Sequence, residues 1–161
     1  MYKPKMVPDD FTVPPGLETD RMRLRMLTIH DAVKDFDAVM TSHDRLKTVF
    51  RPGSEWPTGL TLEQNILDLA WHQVEFQQRT SFCYTVMAPD EARALGCIYM
   101  YPADRLGFDA EITMWVREDE AETGLDAHLF EVVKAWVARD WPMQNPAYVG
   151  RDVSWEDWRA G

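Results

Sequence analysis

Five carboxylates, Glu118, Asp119, Glu120, Glu122 and Asp126, crowd one short stretch of this chain, between a run of alternating residues and an amphipathic one. A turn leading from a strand into a helix leaves backbone N–H groups free at the helix N-terminus, where the macrodipole favours an anion such as a phosphate. Here the turn carries negative charge of its own, and like charges at close range repel an incoming anion. It also holds a means of satisfying its own donors, because Thr123 and Asp126 are spaced as a capping box. An anion-binding turn and a self-capped helix start are the two competing readings.

The flanking elements follow from periodicity. Asp109, Glu111, Thr113 and Trp115 alternate with Ala110, Ile112, Met114 and Val116, the period of a strand. From Leu125 the apolar positions Leu129, Val132, Val133, Trp136 and Val137 recur at three and four, the stripe of a helix. It ends near Asp140, because Pro142 disfavours helical geometry at Trp141. Upstream, Arg21 to Met26 alternate strictly, giving a first strand with an arginine face that either attracts an anion or is simply solvated. Thr28 and Asp31 predict a capped first helix burying Ile29, Val33, Phe36 and Met40. Thr61 and Gln64 predict a second, burying Leu62, Ile66, Leu69 and Val74, after a loop punctuated by Pro and Gly over 51–59. Phe82–Met87 and Ala94–Tyr101 read as a β-hairpin, and the strand carrying Glu111 extends it into an antiparallel meander. A turn centred near Asp90 would set Cys83 opposite Cys97. Ser154 to Trp158 predicts one helical turn, with Trp155 and Trp158 covering an apolar edge.

At 161 residues, 45% hydrophobic and 12% aromatic, the chain is long and apolar enough for one folded domain. Residues 1–16, with four prolines, read as an extended arm, and 17–161 as the single domain. A formal charge of −10 argues against nucleic acid, whose phosphates require clustered Lys and Arg, and tolerates cationic partners, amines among them. Cys83 and Cys97 match no metal-ligand spacing and the four histidines are scattered, so no metal site is expected. No apolar run reaches the length of about 18 residues of a membrane span, and the N-terminus lacks the apolar core of a signal peptide, so the cytoplasm is the expected location.

The strand, loop and helix over Ala110–His128 resemble the acyl-CoA-binding core of the GNAT N-acetyltransferase superfamily. Leu17–Ala32 (LETDRMRLRMLTIHDA) and Ala94–Pro102 (ALGCIYMYP) are similar to the opening strand and helix, and to the strand before the CoA strand, of the branch containing the ribosomal-protein-alanine acetyltransferases. The resemblance implies a GNAT-like α/β (α+β) fold, a mixed, mostly antiparallel central sheet flanked by helices, with a shortened C-terminal part. It implies acetyl-CoA as cofactor, with the backbone of Met114 and Val116 along the pantetheine arm and the N–H groups of Gly124 and Leu125 at the pyrophosphate. Arg117 would offset the acids. Ala121, Glu122 and Asp126 depart from the residues expected around the matching Gly124, so the pyrophosphate loop is degenerate.

On the same resemblance Glu111 is the catalytic base, its pKa raised by Asp109, and the acceptor is an amine-bearing small molecule or peptide. Trp56, Trp71 and His72 are candidate acceptor contacts. Tyr148 lies in a different context from the tyrosine that protonates the leaving thiolate in that family. Two functions stay open, an N-acetyltransferase and a catalytically silent GNAT-fold binding or interaction module that has lost CoA. A sheet edge left by the shortened C-terminus would be covered by the arm, by the C-terminal tryptophans or by a second copy in a homodimer.

Overall fold

The computed structural model describes residues 3–160. Six strands form one sheet in chain order: β1 (Gly16–Glu18), β2 (Arg23–Met26), β3 (Phe82–Met87), β4 (Ala94–Pro102), β5 (Ala110–Val116) and β6 (Pro146–Tyr148). Neighbours are antiparallel except β5 and β6, which run parallel because α4 (Leu125–Asp140) crosses over between them. The sheet is therefore mixed and mostly antiparallel, flanked by helices, as expected.

Both faces of the sheet are covered, which explains why β3 is buried at every position although its side chains alternate. Phe82, Tyr84, Ile98, Met100 and Ile112 point to α4, meeting Leu129, Val133, Trp136 and Val137. Cys83, Met87, Cys97 and Trp115 point to the other layer, built by α1 (Ala32–Met40), α2 (His43–Val49) and α3 (Leu62–Gln78). The α2 helix forms in a stretch whose spacing predicted no element, anchored by the fully buried Leu46.

The predicted caps of α3 and of the first helical segment form. Thr61 Oγ1 accepts from Gln64 N at 3.2 Å and Gln64 Oε1 from Thr61 N at 3.1 Å, while Asp31 Oδ2 accepts from Thr28 N at 2.9 Å. The buried faces differ from those predicted. Ile29 and Val33 are 44% and 70% exposed, and α1 instead buries Ala32, Asp35, Ala38 and Val39. Leu62, Ile66 and Val74 are likewise partly exposed, while α3 buries Asn65, Leu69 and Glu75. Each helix is rotated because its inward line carries polar groups that satisfy one another: Asn65 Nδ2 donates to Asp35 Oδ2 at 2.9 Å, and Ser81 Oγ donates to Glu75 Oε2 at 2.5 Å.

The β3–β4 hairpin turns one residue later than expected, which shifts the strand register by two. Its centre is Glu91, in the left-handed region at φ 58°, so Thr85 faces Cys97 and Cys83 faces Tyr99. The two cysteines remain on one face as diagonal neighbours, free thiols with Sγ atoms 3.3 Å apart.

Residues 3–15 lie along the domain: Met6 N donates to Arg79 O at 2.8 Å, and Tyr84 Oη donates to Pro14 O at 2.6 Å. The stretch then enters β1, which covers the edge of β2. At the other end α5 (Trp155–Ala160) is capped by Ser154 Oγ, which accepts from Asp157 N at 3.1 Å, and Trp158 is buried against Phe108. No helix of the described residues is long and apolar enough to cross a membrane.

Candidate functional site

Two neighbouring places on the sheet could hold a ligand. The first is the edge of β5. Strands β5 and β6 pair only over Ala110–Ile112 and Pro146–Tyr148, because the chain turns back after Tyr148, where Arg151 N and Val153 N both donate to Tyr148 O. The edge of β5 beyond Ile112 is thereby left without a strand partner, and side chains take its place. Arg151 Nη2 donates to Met114 O at 3.2 Å and Arg45 Nε to Val116 O at 3.1 Å.

Both guanidiniums also hold Asp126 in the first turn of α4. Arg151 pairs with it in bidentate fashion at 2.6 and 2.9 Å, and Arg45 Nη2 lies 3.6 Å from Oδ1. This pairing draws Asp126 away from the predicted capping box, which does not form. Gly124 becomes the N-cap, in the left-handed region at φ 82° that glycine tolerates, and the Thr123 hydroxyl accepts from Leu125 N at 3.3 Å while donating to Glu120 O at 2.9 Å. The loop acids are largely compensated: Asp119 meets Arg117 at 2.8 Å and Arg93 at 3.0 Å, and Glu120 meets Arg93. Arg117, expected to offset the loop acids, pairs with Asp119 among them, but it is 4% exposed and otherwise turns inward, donating to Ala94 O at 3.0 Å and lying 3.4 Å from Asp37.

The second place is a cavity of about 360 Å³ between the sheet and the α1/α3 layer. Its floor is β4 and β5, where Tyr99 stands opposite Thr113 and Tyr101 opposite Glu111. Its walls include Phe50, Trp56 and Trp155, the last held by its indole N–H on Val49 O at 3.1 Å. Asp35, Asp68 and Glu111 bring carboxylates to the lining, and Arg51 the one guanidinium.

Asp35 is 4% exposed and has no ion-pair partner among the described residues. Burial pushes its carboxyl up to about 6, against the Asn65 hydrogen bond, with Asp31 and Asp68 adding to the rise. Glu111 is also raised, by burial first and then by Asp104, against the opposing effects of Trp158 and Arg51. Asp109 is not the perturbing neighbour: its carboxylate accepts from Gln144 N at 2.6 Å and Asn145 N at 3.1 Å. His72 is held below its ordinary value by burial, and its Nδ1 is buried without a partner among the described residues.

Of the three candidate acceptor contacts, Trp56 and His72 line this cavity and Trp71 does not. Trp71 is 60% exposed, with Lys3 Nζ 5.7 Å from its ring centroid. Tyr148, on β6, is buried against Phe130 at 5.5 Å and pushed up to about 12 by its burial. Sequence periodicity missed Asp35, Asn65, Arg45 and Arg151; only the alternation of Tyr99 and Tyr101 with Cys97 could have placed two phenols on one face.

No protein-family model matches the sequence, and no curated protein matches it. Solved structures do match in shape. A ribosomal-protein-S5-alanine acetyltransferase from Vibrio fischeri superimposes with a TM-score of 0.67 at 16% identity, covering 90% of this chain and 80% of that one. A protein from Bordetella pertussis described as a GNAT-family acetyltransferase gives 0.60 at 20% identity, over 78% and 74%. A microcin self-immunity acetyltransferase in complex with acetyl-CoA and AMP gives 0.60 at 11% identity, over 77% and 67%. The chain therefore has the GNAT acetyltransferase fold. At these identities the likeness establishes the architecture and leaves the chemistry to the residues of this chain.

Those residues do not fit acetyl-CoA. The strand carbonyls expected along the pantetheine arm, Met114 O and Val116 O, are already hydrogen-bonded to Arg151 and Arg45. The helix terminus expected at the pyrophosphate presents the Asp126 carboxylate, already paired, with Glu122 exposed beside it. Among the described residues no cluster could hold a metal ion.

Proposed function

We propose that this protein is a GNAT-fold module that binds a small primary amine as its ammonium in the cavity beside α1 and α3, without coenzyme A. The observation that carries this reading is the buried Asp35 carboxylate, which lines an aromatic cavity and lacks a cation of its own. An ammonium would supply the missing counter-charge, and aromatic faces such as those of Tyr99 and Trp56 attract a cation through the ring quadrupole. The Arg45–Asp126–Arg151 bridge supports the second half of the reading, because a thioester cofactor would have to displace all three side chains from the β5 edge.

Calorimetric titration tests both halves. 1-Aminobutane is expected to bind saturably at neutral pH, and acetyl-CoA to give no saturation below about 1 mM, weaker than about −4 kcal/mol. Substituting Asp126→Ala frees two guanidiniums and a helix terminus, and is expected to strengthen acetyl-CoA binding by about 1 kcal/mol, the scale of a partly exposed charge. A wild-type protein that ignores 1-aminobutane, or holds acetyl-CoA at micromolar concentration, overturns the proposal.

A second reading, transfer of an acetyl group from acetyl-CoA to the bound amine, is favoured by Glu111 and His72. Both line the cavity, Glu111 with a raised pKa suited to accepting a proton and His72 with a ring that burial keeps neutral. Tight acetyl-CoA binding in the same titration would select it.

A further inference from the structure

We propose that the amine held in this cavity is a short aliphatic diamine bound as its dication, one ammonium at Asp35 and the other at Glu111, its chain lying along Tyr99 and Tyr101. The inference rests on the amine-binding reading and names the class of ligand more closely.

Charge gives the first reason. Of the three carboxylates lining the cavity Asp68 is exposed, which leaves Asp35, without a cation among the described residues, and Glu111, with only the exposed Arg51 near it, as the two shielded charges, and His72 is kept neutral. A monoamine would neutralise one of them and leave the second carboxylate in an apolar, partly enclosed site, where an unpaired charge is costly. A dication answers both.

Placement gives the second. Tyr99 and Tyr101 are two residues apart on β4, point to the same face, and stack with ring centroids 6.3 Å apart and planes within 7°. Asp35, from α1, and Glu111, from the position on β5 directly opposite Tyr101, line the same cavity as these rings. Two-residue strand spacing sets the two tyrosines about 7 Å apart along β4. A chain of about four or five methylenes spans that length and lies on apolar ring surface along its whole course. Arg51 stands on the Glu111 side, where its guanidinium competes with the second ammonium.

Calorimetry on the full chain at neutral pH separates this inference from the reading beneath it. The probes are 1,4-diaminobutane, 1-aminobutane and 1,2-diaminoethane, on wild type, Glu111→Gln and Arg51→Ala. 1,4-Diaminobutane is expected to bind about tenfold more tightly than 1-aminobutane, with 1,2-diaminoethane, too short to reach both acids, losing that advantage. Glu111→Gln should bring the diamine down to the level of the monoamine. Arg51→Ala, an exposed loop substitution that does not depend on the fold tolerating a change in the sheet, should strengthen the diamine alone. Equal affinity for 1,4-diaminobutane and 1-aminobutane overturns the diamine assignment and leaves amine binding standing. An advantage that survives in Glu111→Gln, or an Arg51→Ala protein with unchanged diamine affinity, also overturns it. Failure of every amine to bind removes both.

Discussion

Replacing Asp35 by asparagine is expected to make the empty protein more stable at neutral pH, by about 1–3 kcal/mol, and to abolish its binding of amines. The carboxyl is pushed up from 3.8 to about 6 in the native state, so between about pH 4 and pH 6 the folded chain holds a proton that the unfolded chain has released. The folded state then binds more protons, the free energy of unfolding falls as pH rises through that window, and the loss is complete above it. Each pH unit of difference corresponds to about 1.4 kcal/mol, which bounds the effect near 3 kcal/mol. Asparagine keeps the shape and an acceptor for Asn65 Nδ2 without the buried charge.

Groups held low act oppositely and further down the scale. Glu91, brought to about 2 by hydrogen bonds from Arg25 and Arg23, supports the fold above the usual carboxylate range and loses that support as pH falls towards 2. Wild-type stability should therefore peak near pH 4 to 5, and Asp35→Asn should flatten the decline from there to pH 6. Denaturant unfolding across pH 3–8 measures both curves. Identical slopes for the two proteins between pH 4 and 6 would mean that Asp35 is not perturbed.

Substituting Trp136→Ala is expected to cost about 3–5 kcal/mol, the range for removing a fully buried large aromatic side chain. Trp136 is 1% exposed and packs edge-on against Tyr84 at 5.0 Å and Trp141 at 5.7 Å, so it joins α4 to β3 and to the residue that ends the helix. Against a total stability of about 5–15 kcal/mol this is a large fraction, and for a domain of this size the unfolding midpoint should fall by about 10 °C or more. Circular dichroism on heating reads it directly. The cavity lies on the opposite sheet face, so the protein that remains folded should bind 1-aminobutane as wild type does. A drop in midpoint of only a degree or two would show that the α4 layer repacks around the missing ring.

The elements whose apolar spacing agrees with their packing were legible in the sequence, and α4 and β5 are examples. Their stripes are long, and one period dominates each of them. The caps of α3 were legible too, because a capping box is a local contract between residues three apart. What escaped depends on partners remote in the chain. The inward faces of α1 and α3 were misassigned because Asp35 and Asn65 are buried only by virtue of each other, which no periodicity in either helix reveals. The Thr123–Asp126 box failed for the same reason: Asp126 has a stronger claim on it from Arg151, 25 residues on. Of the site, Glu111, Trp56, Trp71 and His72 were candidates on the family resemblance alone, and the first, second and fourth line one cavity, whereas Asp35, which lines it too, carried no signal in its own neighbourhood.

The Arg45–Asp126–Arg151 bridge also bears on how the chain assembles. It ties together three segments that are far apart in sequence, Arg45 and the carbonyl it caps on β5 being 71 positions apart. Contacts between neighbours in sequence form early, and those that must close long loops form late. The meander of β3, β4 and β5 needs only short turns, whereas the bridge requires α2, α4 and the segment after β6 all to be in place. Its closure should be among the last events of folding, and its opening among the least costly sub-global excursions of the native protein. Amide hydrogens around Gly124, Leu125 and Asp126 should then exchange well before those of β4, and the rate at which they do so would report how often the edge of β5 is uncovered.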